Sequence, residues 1–362
     1  MGAGLAEQLE EALATRDLSK RAEILRRVTD LFVVGSGQFS AAQIALFDDV
    51  MGKLVETVEC AARATFGTRM AKIPDAPANV IRMLAFDDAV EVAAPVLEHS
   101  RRLGDDDLSL NARSKSQGHL LAISRRSSLA EAVTDVLVRR GNQAVVASTA
   151  GNPGARFSMS GMSTLVQRSR DDCDLALCVW SRPDISRRDL IHMFVTASEL
   201  VRNRLEASDP RRVADIRIAV AAASEELQAK LRRGSHEHDG ALSEVKALHA
   251  VGKLDEARLR EFAERKDFDR SALALSLLCD LPIGLVERAV AQDEPEQVLI
   301  IAKSLDLAWE TLKAILCLRP DRAGLRNERL NNCLASYLRL KPRTAQAALQ
   351  FYRLRARAAS VS

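Results

Sequence analysis

The sequence predicts an all-α protein: a HEAT-like α-solenoid of short helix pairs followed by a second helical region. Three observations carry that prediction. Apolar residues recur at steps of three and four through most of the 362 residues. The segments so patterned span about two to four turns and stop at Gly, Pro, Asn or Asp, as stacked short helices do. Aromatic residues make up only 4% while Ala, Leu and Arg are abundant, and a core of Leu, Val and Ala suits close-packed helices better than packed sheets.

The elements follow in chain order. Between Gln43 and Phe66 the residues Ile44, Phe47, Met51, Leu54, Val58 and Ala61 mark one buried stripe, with Asp48, Asp49, Lys53, Glu56, Glu59 and Arg63 on the other faces, which predicts one long surface helix. Pro74 and Pro77 end it. Shorter helices are expected near Asn79–Phe86, through Val92, Val96 and Leu97, near Gln117–Ser124, and near Ser128–Arg139. Ser128 with Glu131 reads as a capping box, and Gly141-Asn142 as the stop. Helices near Gln143–Thr149, Ser160–Ser169 and Cys173–Trp180 follow, with Gly151-Asn152-Pro153-Gly154 as a strong turn between the first two. Ser186 caps a long helix striped by Leu190, Ile191, Phe194, Val195, Leu200, Val201 and Leu205. Helix starts near Asp88, Ser128, Ser160 and Ser186 are unevenly spaced and no strict repeat is visible, so an irregular helical domain is the competing arrangement.

Asp209-Pro210 restarts the chain into a helix through Ile216, Val220, Ala223, Leu227 and Leu231. Gly234 to Gly240, polar and bounded by glycines, reads as an exposed linker. Helices then recur near Leu242–Val251, Asp255–Lys266, Asp269–Cys279, Ile283–Ala291, Pro295–Leu305, Ala308–Cys317 and Arg326–Leu338. After Pro342 a last helix runs to about Ala358. The expected organisation is a HEAT-like domain over 1–207, a helix and polar linker over 208–241, a C-terminal helical domain over 242–340, and a basic helix or tail over 341–362.

Composition bounds the function classes. Hydrophobic residues at 47% and charged residues at 28% are those of a folded chain, and a net charge of +3 does not mark the average surface for nucleic acid. The six cysteines, Cys60, Cys173, Cys178, Cys279, Cys317 and Cys333, form no C-x-x-C pair, which points to a reducing cytoplasm. Met1 to Asp17 mixes acids with apolar residues and does not read as a signal peptide, and no window approaches a membrane span.

Two stretches resemble a known family. One includes Leu84-Ala85-Phe86-Asp87, Val92-Ala93-Ala94-Pro95-Val96-Leu97, Val133-Thr134-Asp135-Val136-Leu137-Val138 and Arg140-Gly141-Asn142. The other is Leu281-Pro282-Ile283 with Ile301-Ala302-Lys303-Ser304-Leu305-Asp306-Leu307-Ala308-Trp309-Glu310-Thr311. Together they resemble the bacterial domain of unknown function 2336 family, found mainly in alphaproteobacteria, over about Leu31 to Arg319. The resemblance implies an all-helical, HEAT-like protein. It supplies no catalytic residues, because the motifs are core and turn patterns.

A search for chemistry finds little. Gly252-Lys253 lacks the spacing of a phosphate loop, and there is no G-x-S-x-G and no H-E-x-x-H. His236-Glu237-His238-Asp239 brings ligand types together but reads as a solvated linker without a second shell. His192 reads as a partly buried, hydrogen-bonded residue. The pairs Asp48-Asp49, Asp87-Asp88 and Asp171-Asp172 and the run Asp105-Asp106-Asp107 read as helix caps, and Cys173 and Cys178 lack a placed histidine. No catalytic residue, metal or cofactor is expected.

The binding candidates are basic. Arg-Arg pairs occur at residues 26–27, 101–102, 125–126, 139–140, 187–188, 211–212 and 232–233. Ordinary capping of helix ends explains them, but equivalent ends of stacked helices would place Arg101, Arg125, Arg139 and Arg140 along a ridge able to bind an acidic partner or a nucleic-acid backbone. From Arg329 onward there are seven Lys or Arg residues and no acid. Arg343, Arg353, Arg355, Arg357 and Tyr352 make that helix a docking candidate for a partner groove, an anionic membrane or nucleic acid, unless its apolar face packs on the body. The expected function is a non-enzymatic scaffold or regulatory adaptor for a protein partner, in the cytoplasm. Nucleic-acid binding through the arginine edge and the tail is the alternative.

Overall fold

The computed structural model describes residues 18–292, 294–318 and 326–359. Among these the regular structure is helical, and the one extended pairing is an isolated parallel bridge between Leu129 and Ala155. The expectations placed on residues 1–17 and on Pro320 lie outside the described residues. The chain forms two compact units, residues 1–165 and 166–362. Among the described residues no helix is long and apolar enough to cross a membrane.

Unit 1 contains α1 (Leu18–Gly35), α2 (Ala41–Val55), α3 (Cys60–Met70), α4 (Ala78–Ala85), α5 (Val90–His99), α6 (Asp105–Ser114), α7 (Gln117–Ser124), α8 (Glu131–Arg140), α9 (Gln143–Ala150) and the start of α10 (Met159–Arg168). Helices α3, α5, α7 and α9 stack in succession, α2 packs on α4 and α6 on α8, and α4–α5, α6–α7 and α8–α9 close as antiparallel pairs. Each helix turns an i, i+3, i+4 stripe inward: Val80, Ile81 and Leu84 in α4, Val92, Val96 and Leu97 in α5, Val133, Val136 and Leu137 in α8. Gly67 lets α3 lie close on α5, because a Cβ there would sit 2.9 Å from the Val92 carbonyl oxygen.

Polar side chains tie each layer to the one before it, over separations of 25 to 29 residues. Asn111 donates to the Ala85 carbonyl at 2.7 Å. Arg126 donates to the carbonyls of Leu97 and Ser100 at 2.5 and 2.7 Å. Arg140 donates to Ala112 and Lys115, and Asn152 to Ser124 and Arg126. These acceptors stand at or just past helix C-termini, where carbonyls have no partner within the helix and the dipole favours a cation. The adjacent acids act at the other end of the helices. Asp48 of α2 accepts from the N–H groups of Asn79 and Val80 at the start of α4, and in unit 2 Asp172 caps the helix that starts at Cys173.

Two expectations for unit 1 need correction. The long helix over Gln43–Phe66 is two helices, because the Thr57 hydroxyl and N–H both bond to the Leu54 carbonyl and Glu59 starts a new helix. Ser128 is not a cap. Leu129 pairs with Ala155 instead, and α8 starts at Glu131 after the extended Ala130.

Unit 2 takes in α11 (Cys173–Trp180), α12 (Arg187–Ser208), α13 (Val213–Arg233), α14 (His236–Ala250), α15 (Glu256–Glu264), α16 (Phe268–Cys279), α17 (Ile283–Ala291), α18 (Glu296–Ser304), α19 (Trp309–Leu316), α20 (Arg326–Arg339) and α21 (Pro342–Ala359). Its core collects Leu259, Leu275, Val286, Ile301 and Leu312, with Tyr337 and Leu349 brought in by the last two helices. Helices α14 and α15 pack on α16, α19 on α15, and both α20 and α21 on α18. The long helices α12 and α13 form a hairpin whose base packs on α17. Ser186 caps α12 as expected, accepting from the Asp189 N–H at 3.1 Å. The polar segment Gly234–Gly240 is not a linker. Ser235 caps α14, which starts at His236, and His238 is buried.

Candidate functional site

Beneath the base of the hairpin five ionisable side chains meet. Arg187 is the first residue of α12, Arg232 lies in the last turn of α13, His238 in the first turn of α14, Asp269 in the first turn of α16, and Glu287 in α17. The Glu287 side chain is 0% exposed. Its Oε1 accepts from Arg187 at 2.7 Å and its Oε2 from Arg232 at 2.8 Å. Arg187 also pairs with Asp269 and lies over the Phe268 ring, 5.5 Å from its centroid. The His238 Nδ1 is 3.4 Å from the same Asp269 oxygen. Burial and the facing Arg187 push the His238 imidazole below its ordinary value.

Among the described residues, ligand-type atoms of His238, Asp269 and Glu287 fall within 4.8 Å of one another. The set does not suit a metal ion. With His238 neutral, two guanidiniums balance two carboxylates, and both Glu287 oxygens and the Asp269 oxygen already accept from them. A divalent cation would face two fixed positive charges at close range. The cluster is a closed ion-pair network that joins α12, α13, α16 and α17.

A groove opens beside this cluster, with a volume of about 940 Å³. Its walls come from α12, α13, α17 and α21. Val195, Val220, Ala221, Leu281 and Leu285 give it an apolar lining, and Glu199, Arg202, Arg217, Glu225, Arg288 and Arg353 give it a rim of both charges. Pairs on that rim hold the walls in place. Gln292 donates to Glu199 at 3.2 Å, and Arg217 donates to Glu206 at 2.8 Å across the hairpin. The Arg217 guanidinium holds the Glu206 carboxyl below the usual carboxylate range. Gln228, further along the same helix, packs on Gly284, where a Cβ would come within 3.0 Å of its Oε1. The hairpin also exposes Leu200, Val201, Leu205 and Ile218.

The arginines singled out from sequence separate into two roles. Arg102, Arg126 and Arg140 reach back to carbonyls of earlier layers, while Arg101, Arg125 and Arg139 are exposed; of the six, Arg126 alone is half-buried. The arginines fall at two different helix ends. Arg101 and Arg125 follow the C-termini of the parallel helices α5 and α7. Arg139 and Arg140 end α8, at the N-terminal end of α7, where Gln117 donates to the Arg140 carbonyl. In α21, Arg343 is exposed, Tyr352 is half-buried, and Arg353 turns inward to donate twice to the Cys279 carbonyl, at 3.0 and 2.6 Å. The side chains of Arg355 and Arg357 lie outside the described residues. His192 is held by the Ala291 carbonyl at 2.9 Å and by Arg170 at 3.1 Å.

The sequence reading missed the cluster and the groove. The one local signal was a histidine with acids at 236–239, and its partners come from Arg187, Asp269 and Glu287. The free cysteines differ sharply in burial. Burial pushes the Cys279 thiol up to about 12, while Cys60, Cys173 and Cys178 are exposed. Treatment of the folded chain with a thiol reagent at neutral pH is expected to label those three and spare Cys279, read by peptide mass spectrometry. Labelling of Cys279 at a comparable rate would contradict the burial that Arg353 and α16 impose on it.

A family model described as "Uncharacterised protein conserved in bacteria (DUF2336)" matches residues 92–350. No curated protein and no solved structure matches the chain.

Proposed function

The chain belongs to the DUF2336 family of uncharacterised bacterial proteins, and on that premise we propose that it is a non-enzymatic adaptor that receives a helical segment of a protein partner in the unit 2 groove. The observation that carries this reading is the groove itself: a partly apolar lining between two long helices and the body, ringed by both charges. An amphipathic helix matches that pattern, with its apolar stripe on the floor and its polar flanks at the rim. The volume is near the upper end of small-molecule sites, and the balanced rim selects no ligand of a single charge. The ion-pair network beneath it supports binding over catalysis, because its charged groups are engaged with one another. The stacked helix pairs of unit 1, read as HEAT-like, offer a further surface for such a role. We place the protein in the cytoplasm on its unpaired cysteines.

The test places a photo-crosslinking residue at Ala221 in the groove, or at Leu46 on the exposed face of α2, in the full chain in a bacterial lysate. Crosslinks to the same protein from position 221 only, abolished by Ala221→Arg in a chain crosslinked from Leu285, are the expected result. Ala221 is exposed, so the arginine should leave the fold intact. Failure of Ala221→Arg to reduce capture would overturn the reading. Nucleic-acid binding is the second reading, favoured only by Arg101 and Arg125 standing exposed at successive helix ends. It requires a steep loss of affinity with salt and with substitution of those two arginines.

A further inference from the structure

We propose that the outward face of α21 docks on an anionic membrane surface. The helix carries two apolar faces. One, with Ala345 and Leu349 buried and Tyr352 half-buried, packs on the core of unit 2. The other runs through Ala347, Phe351 and Leu354, one helix face at steps of four and three, and among the described residues it is left exposed. Phe351 is 61% exposed and Leu354 66%. Arg343, four residues before Ala347, is exposed on the same flank.

Charge selects the occupant. After Glu328 the chain contains no acidic residue, and it carries Arg329, Arg339, Lys341, Arg343, Arg353, Arg355 and Arg357. Arg353 is spent on the Cys279 carbonyl, whereas Arg339, Lys341 and Arg343 stand exposed around the turn into α21. A helix with large apolar groups on one exposed stripe and only positive charge beside it matches the interface of an anionic leaflet, where the apolar side chains enter between headgroups and the cations meet phosphates. Nucleic acid phosphates would satisfy the arginines but leave Phe351 and Leu354 in water. The groove that suits a protein helix lies on another side of α21, where Tyr352 and Arg353 line it, so membrane contact and an occupied groove are compatible. The membrane proposal does not rest on the adaptor reading.

The experiment is co-sedimentation of the full chain with vesicles of phosphatidylethanolamine alone and of phosphatidylethanolamine mixed with phosphatidylglycerol. Binding to the mixed vesicles only, weakened by salt, is expected. The double variant Phe351→Ser, Leu354→Ser should reduce binding about tenfold or more, through loss of the inserted groups. Arg343→Glu should reduce it by at least about fivefold, the equivalent of one cation at the surface. Leu177→Ser, at another exposed apolar position in unit 2, should change nothing. All four residues are exposed, and circular dichroism checks that the variants stay helical. No binding to mixed vesicles, equal binding to both lipid compositions, or binding that the double variant leaves unchanged would each overturn the proposal. So would binding to duplex DNA without any to vesicles.

Discussion

Replacing Glu287 with leucine is expected to destabilise unit 2 by about 3–5 kcal/mol, because it strands the Arg232 guanidinium and leaves Arg187 with Asp269 alone. Glu287 is fully buried, and each of its oxygens pairs with one of these arginines. Arg187 and Arg232 are themselves 9% and 16% exposed, so neither can turn to water without moving its helix. The loss is one of imbalance. The double variant Arg232→Met, Glu287→Leu removes one charge of each sign, leaves Arg187 paired with Asp269, and should recover most of the deficit, since a buried ion pair and a well-packed apolar replacement are often close in energy. Both tryptophans, Trp180 and Trp309, lie in unit 2, so urea unfolding followed by tryptophan fluorescence reads this unit directly. A Glu287→Leu shift under about 1 kcal/mol, or a double variant worse than the single, would show that the cluster does not hold the four helices together. The depressed His238 adds a pH dependence of definite sign. Below about 6.5 the unfolded chain takes up a proton at this residue that the folded chain still refuses, so stability falls as pH drops through that value.

How much of this was legible in the sequence follows from the range of each interaction. Helix caps act over three residues, and Ser186 and Asp172 cap the helices that their positions announce. Proline and glycine turns likewise bounded most elements to within a residue or two. The reading failed where distant partners decide. Gly234 to Gly240 has linker composition, yet it becomes helix because His238 enters a site made by Arg187, Asp269 and Glu287, separated from it by up to about fifty residues of sequence. Ser128 has the chemistry of a cap, yet Leu129 is claimed by a bridge to Ala155. Uneven spacing of helix starts hid a regularity that the side-chain ties reveal, since a tie at 25 to 29 residues leaves no local mark on composition. The groove was invisible for the same reason. Its walls are drawn from four helices, each of which reads as an ordinary amphipathic or alanine-rich segment.

The Arg-Arg pairs show the same limit most sharply, and they yield the second large effect. Arg125 and Arg126 are chemically identical neighbours at the end of α7, and no property of the sequence tells them apart. A step of about 100° around the helix end sends Arg125 to solvent and Arg126 under the C-terminus of α5, where it satisfies the Leu97 and Ser100 carbonyls. Hydrogen bonds from a charged donor are worth about 1.5–3 kcal/mol, and their loss leaves two partly buried carbonyls of a helix end unpaired. Arg126→Met, which keeps the aliphatic stem, is therefore expected to destabilise unit 1 by about 2–4 kcal/mol. Arg125→Met should fall within about 0.5 kcal/mol of the parent, as exposed substitutions do. Unit 1 contains no tryptophan, so the effect should appear in the far-ultraviolet circular dichroism transition and leave the tryptophan-detected transition of unit 2 in place. Equal effects of the two substitutions would mean that Arg126 does not tie α7 to α5. A large loss from Arg125→Met would mean that the exposed arginine has a structural partner, and would remove it from the surface on which the nucleic-acid reading depends.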